Sequence, residues 1–313
     1  MLYYPYSLWL KQQYGEKVYK LPVNLPVSCP NRRNGQNGCT FCSELGTGFE
    51  AMGQEISVTK QLQHTREIVS KKYKAQKYIA YFQNYTNTFM PMDDFKDYLT
   101  EASAFPDIVE ISVSTRPDCI RRDYLDWMAD LQHRTGIRIN IELGLQTVNY
   151  HTLDKIHRGH SLAEYVDAML TIRQYPFTTC THLIANLPGD TVRDAVESAR
   201  IVSVVHTDIV KIHSLYIAKG TAMAEQYGKK ELDICSKVEY FERLRLMLEN
   251  LDPKIAVERL FSRVPEKDAL FCNWQTSWWR LKDEFEDYMK QYDSFQGKGF
   301  NYTNGSALKG VFE

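Results

Sequence analysis

Short apolar runs alternate with longer stretches of helical periodicity along most of this chain. Val18–Val27 reads as a strand, Val58–Tyr73 as an amphipathic helix and Tyr78–Gln83 as a second strand, followed by a helix near Met92–Ala104. Ile108–Val113 is the next strand and Asp123–His133 the next helix. Ile137–Gln146, Thr179–Leu187 and Ile209–Ile217 repeat the theme, each followed by a helical pattern. Runs that are apolar on both faces and separated by helices predict parallel βα units. Six such units fit within residues 18–250, which predicts an α/β fold built as a partial (β/α)6 TIM-like barrel. A break falls at Leu251–Lys254. Beyond it Ile255–Phe261 reads as one more strand, and an aromatic, mixed-charge tail runs from Trp274 to Phe295. Trp278, Trp279, Phe285 and Tyr288 lie near helical spacing, which favours a helix packed on the barrel over a base-stacking surface. The expected organisation is a core over residues 1–250 with a C-terminal extension over 251–313.

Composition narrows the class. The 313 residues are 43% hydrophobic and 25% charged, ordinary for a globular chain able to bury a full core. A net charge of −1 removes any global polyanion-binding signature but leaves room for a local basic face. The run Arg66, Lys71, Lys72, Lys74, Lys77 is the densest basic stretch, and it reads first as a solvated helix face. Seven cysteines, an odd number at irregular spacing, argue against a disulfide framework and for the reducing cytoplasm. Met1–Tyr6 has neither the charged start nor the apolar core of a signal peptide, and no apolar run reaches membrane-spanning length.

Three of those cysteines, Cys29, Cys39 and Cys42, sit in one short stretch with spacings of nine and two residues. Thiolates are soft ligands that suit iron–sulfur clusters, zinc or Cu(I). Three of them can hold three irons of a four-iron cluster and leave the fourth open. Gly35 and Gly38 would let the loop fold back so that the distant cysteine meets the close pair. A zinc site completed from elsewhere, or a redox Cys-x-x-Cys, fits the cysteines equally well. In a βα barrel, chemistry gathers at the C-terminal strand ends. Those ends carry the cysteine loop, Gln83–Thr88, Ser114–Asp118, Glu142–Thr147, Asn186–Asp190 and Lys211–Tyr216. One Asn or Thr there is usually a cap; polar groups at six ends beside a thiolate loop point to a site. Arg158, after the fourth strand, is suited to clamp a carboxylate if it faces inward.

In this order the motifs Cys-Pro-Asn-Arg…Gly-Cys-Thr-Phe-Cys, Tyr-Phe-Gln-x-Tyr-Thr-Asn-Thr, Ile-Ser-x-Ser-Thr-Arg-Pro-Asp, Glu-Leu-Gly-Leu-Gln-Thr and Ile-x-Arg-Gly-His resemble the radical S-adenosylmethionine (SAM) superfamily. More narrowly they are similar to its YtqA/YhcC subgroup, related to the catalytic subunit of Elongator. The resemblance covers nearly the whole chain, including Asn186–Thr191 and the Gln296-Gly-Lys segment. It implies a [4Fe–4S] cluster on Cys29, Cys39 and Cys42, with SAM on the open iron. It places Gln83, Asn84 and Thr86 near the SAM amino group, Arg158 on its carboxylate, Gln146 toward the ribose and Asn186 toward the adenine, with Glu142 among the cofactor-binding residues. Thr115 stands where similar enzymes carry a glutamate. Cys119 and Cys180 lack partners at ligand spacing and read as inert buried thiols.

The resemblance further implies one-electron reduction of SAM, fed by a donor such as flavodoxin or ferredoxin, and hydrogen abstraction by a 5′-deoxyadenosyl radical. For the subgroup it implies a tRNA anticodon-loop substrate. The wobble uridine would pass from its 5-carboxymethylaminomethyl (or 2-thio) form to the 5-aminomethyl form. An enzyme acting on another RNA position or a small molecule is the alternative, and a non-catalytic zinc or RNA-binding adaptor is the alternative from another class.

Overall fold

The computed structural model describes residues 1–33, 38–43 and 51–311; Gly35 lies outside them. After an N-terminal helix α1 (Tyr6–Tyr14), strands and helices alternate. They are β1 (Val18–Val23), α2 (Val58–Tyr73), β2 (Lys77–Phe82), α3 (Met92–Ser103), β3 (Ile108–Thr115), α4 (Arg122–Thr135) and β4 (Arg138–Gln146). Then follow α5 (Tyr150–Lys155), α6 (Leu162–Ile172), β5 (Thr178–Ile184), α7 (Val192–Val204), β6 (Ile209–His213) and a short β7 (Tyr216–Ala218). The chain continues through α8 (Ala222–Gly228), α9 (Lys237–Asn250), β8 (Ala256–Arg259), β9 (Ala269–Cys272) and α10 (Trp278–Gln291). Seven strands form one all-parallel sheet in the order β1-β2-β3-β4-β5-β6-β8, and β7 pairs with β9 in a small antiparallel ribbon.

The strand bodies are buried on both faces, as a sheet covered by helices requires. The helices bury one stripe each: Tyr124, Leu125, Met128 and Leu131 on α4, and Leu281, Phe285 and Met289 on α10. Their starts are written in the sequence. Ser161–Glu164 and Ser236–Glu239 form reciprocal capping boxes at α6 and α9. Pro22 sits within β1 without cost because β1 is an edge strand. On α2, Lys71 and Lys72 are exposed and Arg66 pairs with Asp107, the solvated face expected of the basic run, whereas Lys74 follows the helix end and Lys77 lies on β2, paired with Glu16.

One feature departs from the sequence pattern. The apolar run 209–217 is two strands rather than one, because Ser214 is drawn into side-chain bonds. Its hydroxyl accepts from the Ser262 N–H at 2.9 Å, and Asn273 holds the Ser262 carbonyl at 2.8 Å. The segment after the 251–254 break supplies β8, the seventh strand of the main sheet, while α10 packs on α9 through Phe241 and Phe285.

The sheet curls into a half-barrel whose edge strands β1 and β8 do not pair, yet their side chains meet inside. Lys20 of β1 reaches Glu258 of β8 at 2.8 Å and Glu142 of β4 at 2.7 Å. Lys211 of β6 reaches the same two carboxylates at 3.0 and 3.1 Å. His182 of β5 adds a bond to Glu142 at 2.7 Å, and the Tyr81 hydroxyl accepts from Lys211 at 3.0 Å. Two cations and two anions alternate, so each charge faces two of opposite sign. Burial opposes ionisation of Glu258, but Lys20 and Lys211 outweigh it and hold its carboxyl at about 2; Glu142 is lowered for the same reason.

A carboxyl lowered in the folded state stabilises the fold above its unfolded pKa, and that contribution is lost as pH falls toward the folded value. Urea unfolding is therefore expected to show stability declining from about pH 5 toward pH 2. Glu258→Gln, which leaves the two lysines in excess, is expected to cost about 3–5 kcal/mol at neutral pH and to flatten that decline. An unchanged midpoint in the variant would remove the network from the fold's stability.

Candidate functional site

The cysteine loop leaves β1 at the C-terminal edge of the sheet, and its described residues are held by isolated backbone and side-chain contacts rather than by a ladder. Thr40 is held on both sides: its N–H donates to Ile156 O at 3.0 Å, and its carbonyl accepts from Met223 N at 2.9 Å. Phe41 packs into a small cluster of Ile156, Leu187, Leu215, Ile217 and Met223. Asn31 donates to the carbonyls of His157 and Arg158, each at 2.7 Å, and reaches Cys39 Sγ at 3.4 Å. Arg32 donates to the Cys42 and Ser43 carbonyls and lies over the Tyr85 ring, which sets the β2-end loop beside the cysteines.

Two arginines approach two of the sulfur atoms. Arg158 Nη1 lies 3.7 Å from Cys39 Sγ, and Arg116 Nη1 lies 3.7 Å from Cys29 Sγ. Arg116 is almost fully buried and is locked by a two-pronged bond to Asp118 at 2.8 and 2.6 Å and by Gly159 O at 3.0 Å. Arg158 donates through Nη2 to Gly144 O at 2.7 Å and through Nε to His160 Nε2 at 2.9 Å. Burial, then the adjacent Arg158 charge, lower the His160 pKa to about 4, so the ring is neutral and can accept that bond. Burial together with Cys39 raises the Cys42 thiol, and Arg32 works against that rise.

Two glycines make this approach possible. A Cβ on Gly144 would lie 2.6 Å from Arg158 Nη2 and 2.7 Å from Gln146 Nε2. A Cβ on Gly159, whose φ is +74°, would lie 2.3 Å from Asn31 Oδ1. Cys39, Arg158, Gly144 and Gln146 therefore share one corner. Gln83, Gln146 and Phe41 line a cavity of about 100 Å³ at that corner. Asn84 and Thr86 are buried at the end of β2, and Asn84 Oδ1 has no hydrogen-bond partner among the described residues.

Three other sequence candidates are engaged with the protein itself. The Thr115 hydroxyl bonds Thr88 at 2.6 Å, and Thr88 in turn reaches Cys119 O. Asn186 Oδ1 accepts from Leu215 N at 2.7 Å. Glu142 lies mid-strand in the charge network rather than at the strand end with Gln146. Glu142, Cys180 and His182 approach each other closely enough to suggest a metal triad, but Lys20 and Lys211 already neutralise that carboxylate and would repel a cation. Burial raises the thiols of Cys119, to about 12, and Cys180, which keeps both protonated. Asn31 and Arg116 are the residues that sequence reasoning left out. The available signal was Arg116-Pro117, since a charged residue fixed by a following proline at a strand end has few reasons to be there.

The donor set fits an anionic, thiolate-held group. N–H donors from Asn31, Arg116 and Arg158 face two of the three sulfurs, as the outer shell of an iron–sulfur centre does. It also fits an amino-acid end group. Of the five Arg158 N–H bonds, three are accounted for by His160, Gly144 O and Cys39 Sγ, leaving donors for a carboxylate. Asn84 Oδ1 remains as a buried acceptor.

Gly159→Ala is expected to lower the iron and sulfide retained after anaerobic reconstitution at least about two-fold, because the new methyl displaces Asn31. Gly136→Ala is the control: its φ is +72° but a Cβ there meets nothing within 4 Å. Equal iron content in the two variants would mean that the Asn31 contact does not hold the loop.

Comparison with known proteins agrees with this geometry. Uncharacterized protein YtqA of Bacillus subtilis is 33% identical over 95% of this chain and 92% of its own length. Protein YhcC of Escherichia coli is 32% identical over 90% of this chain and 91% of its own. Among solved structures, archaeal Methanocaldococcus infernus Elp3 with an N-terminal deletion superimposes with a TM-score of 0.69 at 15% identity, covering 89% of this chain and 64% of that one. Residues 207–291 match the radical SAM C-terminal domain. Residues 24–202, which carry the cysteine loop, both arginines and strands β2 to β5 of the half-barrel, match the radical SAM superfamily, and the chain belongs to it.

Proposed function

We propose that this chain is a radical SAM enzyme that acts on the wobble uridine of tRNA, taking the 5-carboxymethylaminomethyl (or 2-thio) form to the 5-aminomethyl form. In this reading Cys29, Cys39 and Cys42 hold a [4Fe–4S] cluster. Arg158 takes the SAM carboxylate, Asn84 and Thr86 lie toward its amino group, and Gln146 faces the ribose. When bound, the cluster supplies the electron that cleaves SAM to the 5′-deoxyadenosyl radical. The chain's own residues position the substrate carbon and keep water away. Asn31, Arg116 and Arg158 hold negative charge on the sulfurs.

The observation that carries the RNA assignment is the open side of the half-barrel. Between the unpaired edges β1 and β8 lies a cavity of about 740 Å³ lined by Lys11, Lys17, Arg259, Arg263, Lys282 and Trp278. Tyr81, Gln83, Lys211, Arg259 and Arg263 line both it and the smaller cavity beside the cysteines. A basic, partly aromatic entrance leading to the reactive corner suits a splayed base whose phosphates stay outside. The overall charge of −1 hides this local excess. An anticodon loop already presents unstacked bases, so no duplex has to be opened.

Nucleoside mass spectrometry of tRNA from a strain lacking the gene is expected to show 5-carboxymethylaminomethyl uridines accumulating and their 5-aminomethyl descendants disappearing. Unchanged wobble nucleosides would overturn the substrate assignment. The SAM chemistry would then be directed at another RNA position or a small molecule.

A further inference from the structure

The charge inside the smaller cavity is unbalanced. Among the described residues its lining contains Lys211, Arg259, Arg263, His182 and His213 and no aspartate or glutamate. Most of this positive charge is already committed. Lys211 is neutralised by Glu142 and Glu258, and the Arg263 guanidinium lies over the Trp278 ring at 3.8 Å. His182 and His213 are held neutral, each by burial first, then by Lys211 for His182 and Arg259 for His213. Arg259 differs from these. It is half-buried on β8 and faces both cavities, yet it has no hydrogen-bond or ion-pair partner among the described residues. Its chain neighbour Glu258 cannot serve as counter-ion, because Lys20 and Lys211 hold both of its oxygens.

Arg259 faces these cavities with no ion-pair partner among the described residues, so its guanidinium donors are free to point into them. A fold that keeps a guanidinium facing a cavity is set up for an anion that arrives with the ligand. The planar fork of arginine matches a carboxylate through two parallel bonds. The cavity's size selects further: about 100 Å³ takes a small substituent and not a nucleoside, which the neighbouring space of about 740 Å³ can admit. RNA phosphates would remain at the basic entrance.

We propose that Arg259 is a specificity-determining residue, which clamps a carboxylate carried on a short substituent of the substrate and so places the adjacent carbon beside the cysteine loop. The proposal rests on the reading of these cavities as the substrate site and deepens it: the substrate class is a carboxymethyl-bearing amine. A product lacking that carboxylate would lose its hold and leave.

The test is equilibrium binding to the reconstituted holoenzyme of two anticodon stem-loop RNAs that differ only in carrying 5-carboxymethylaminomethyluridine or 5-aminomethyluridine. N-benzylglycine and benzylamine form a matched RNA-free pair. The wild type is expected to prefer the carboxylate member of each pair by about ten-fold or more. Arg259→Gln is expected to abolish the preference within each pair, so that the carboxylate and aminomethyl members bind equally, while keeping its iron content, and Arg259→Lys to restore part of it. If Arg259→Gln keeps the full preference, or if the wild type shows none for either pair, the inference is overturned. If the wild type ignores the difference between the RNAs but binds N-benzylglycine through Arg259, the clamp stands and the tRNA reading falls.

Discussion

Four charges inside the half-barrel, two of them buried, set the shape on which this protein's site depends. Lys20, Glu142, Lys211 and Glu258 come from β1, β4, β6 and β8, and each cation touches both anions. A seven-stranded parallel sheet could stay open and twisted. Here the first and last strands, more than two hundred residues apart in the chain, are drawn within an ion pair of each other without sharing a backbone bond. The half-barrel is curled by side chains across its interior and remains unzipped along one side. That unzipped side is the broad basic cavity. The same arrangement commits Glu142 and Glu258 to the two lysines and His182, and this leaves Arg259 without an ion-pair partner among the described residues beside the reactive corner.

At the strand ends the constraint is different. The described residues of the cysteine loop have no ladder hydrogen bonds, so they are positioned by what they touch. Thr40 is pinned from α5's end and from α8, Asn31 from the 157–158 carbonyls, and two sulfurs from arginines on β3's end and the 158–160 turn. Glycines at 144 and 159 are what allow these groups to crowd together. Geometry of this kind holds reactive sulfurs rigidly while leaving the neighbouring cavity free, which suits chemistry that must exclude stray hydrogen donors.

Much of this was legible in the sequence. The βα alternation shows because strands buried on both faces are apolar throughout, and the capping boxes show because their partners are three residues apart. The cysteine spacing and the order of strand-end motifs gave the family, and Arg158 and Gln146 do meet near Cys39. What stayed hidden involves long-range partners. Nothing near Lys20 reveals that its partners are 122 and 238 positions away. Glu142 therefore read as a strand-end residue when it is a mid-strand ion. The split at Ser214 was invisible because Ser262 and Asn273 create it. Arg259 had no local motif at all; only the curl of the sheet turns it toward the cysteines' neighbourhood.

The most direct measurement is anaerobic reconstitution with iron and sulfide, followed by SAM and a strong reductant, with iron content and 5′-deoxyadenosine both quantified for the wild type and Cys39→Ala. About four irons and four sulfides per wild-type chain are expected, with 5′-deoxyadenosine formed by the wild type and lost in the variant. One zinc per chain in place of iron, or 5′-deoxyadenosine formed equally by Cys39→Ala, would contradict the assignment of this loop as the seat of the radical chemistry.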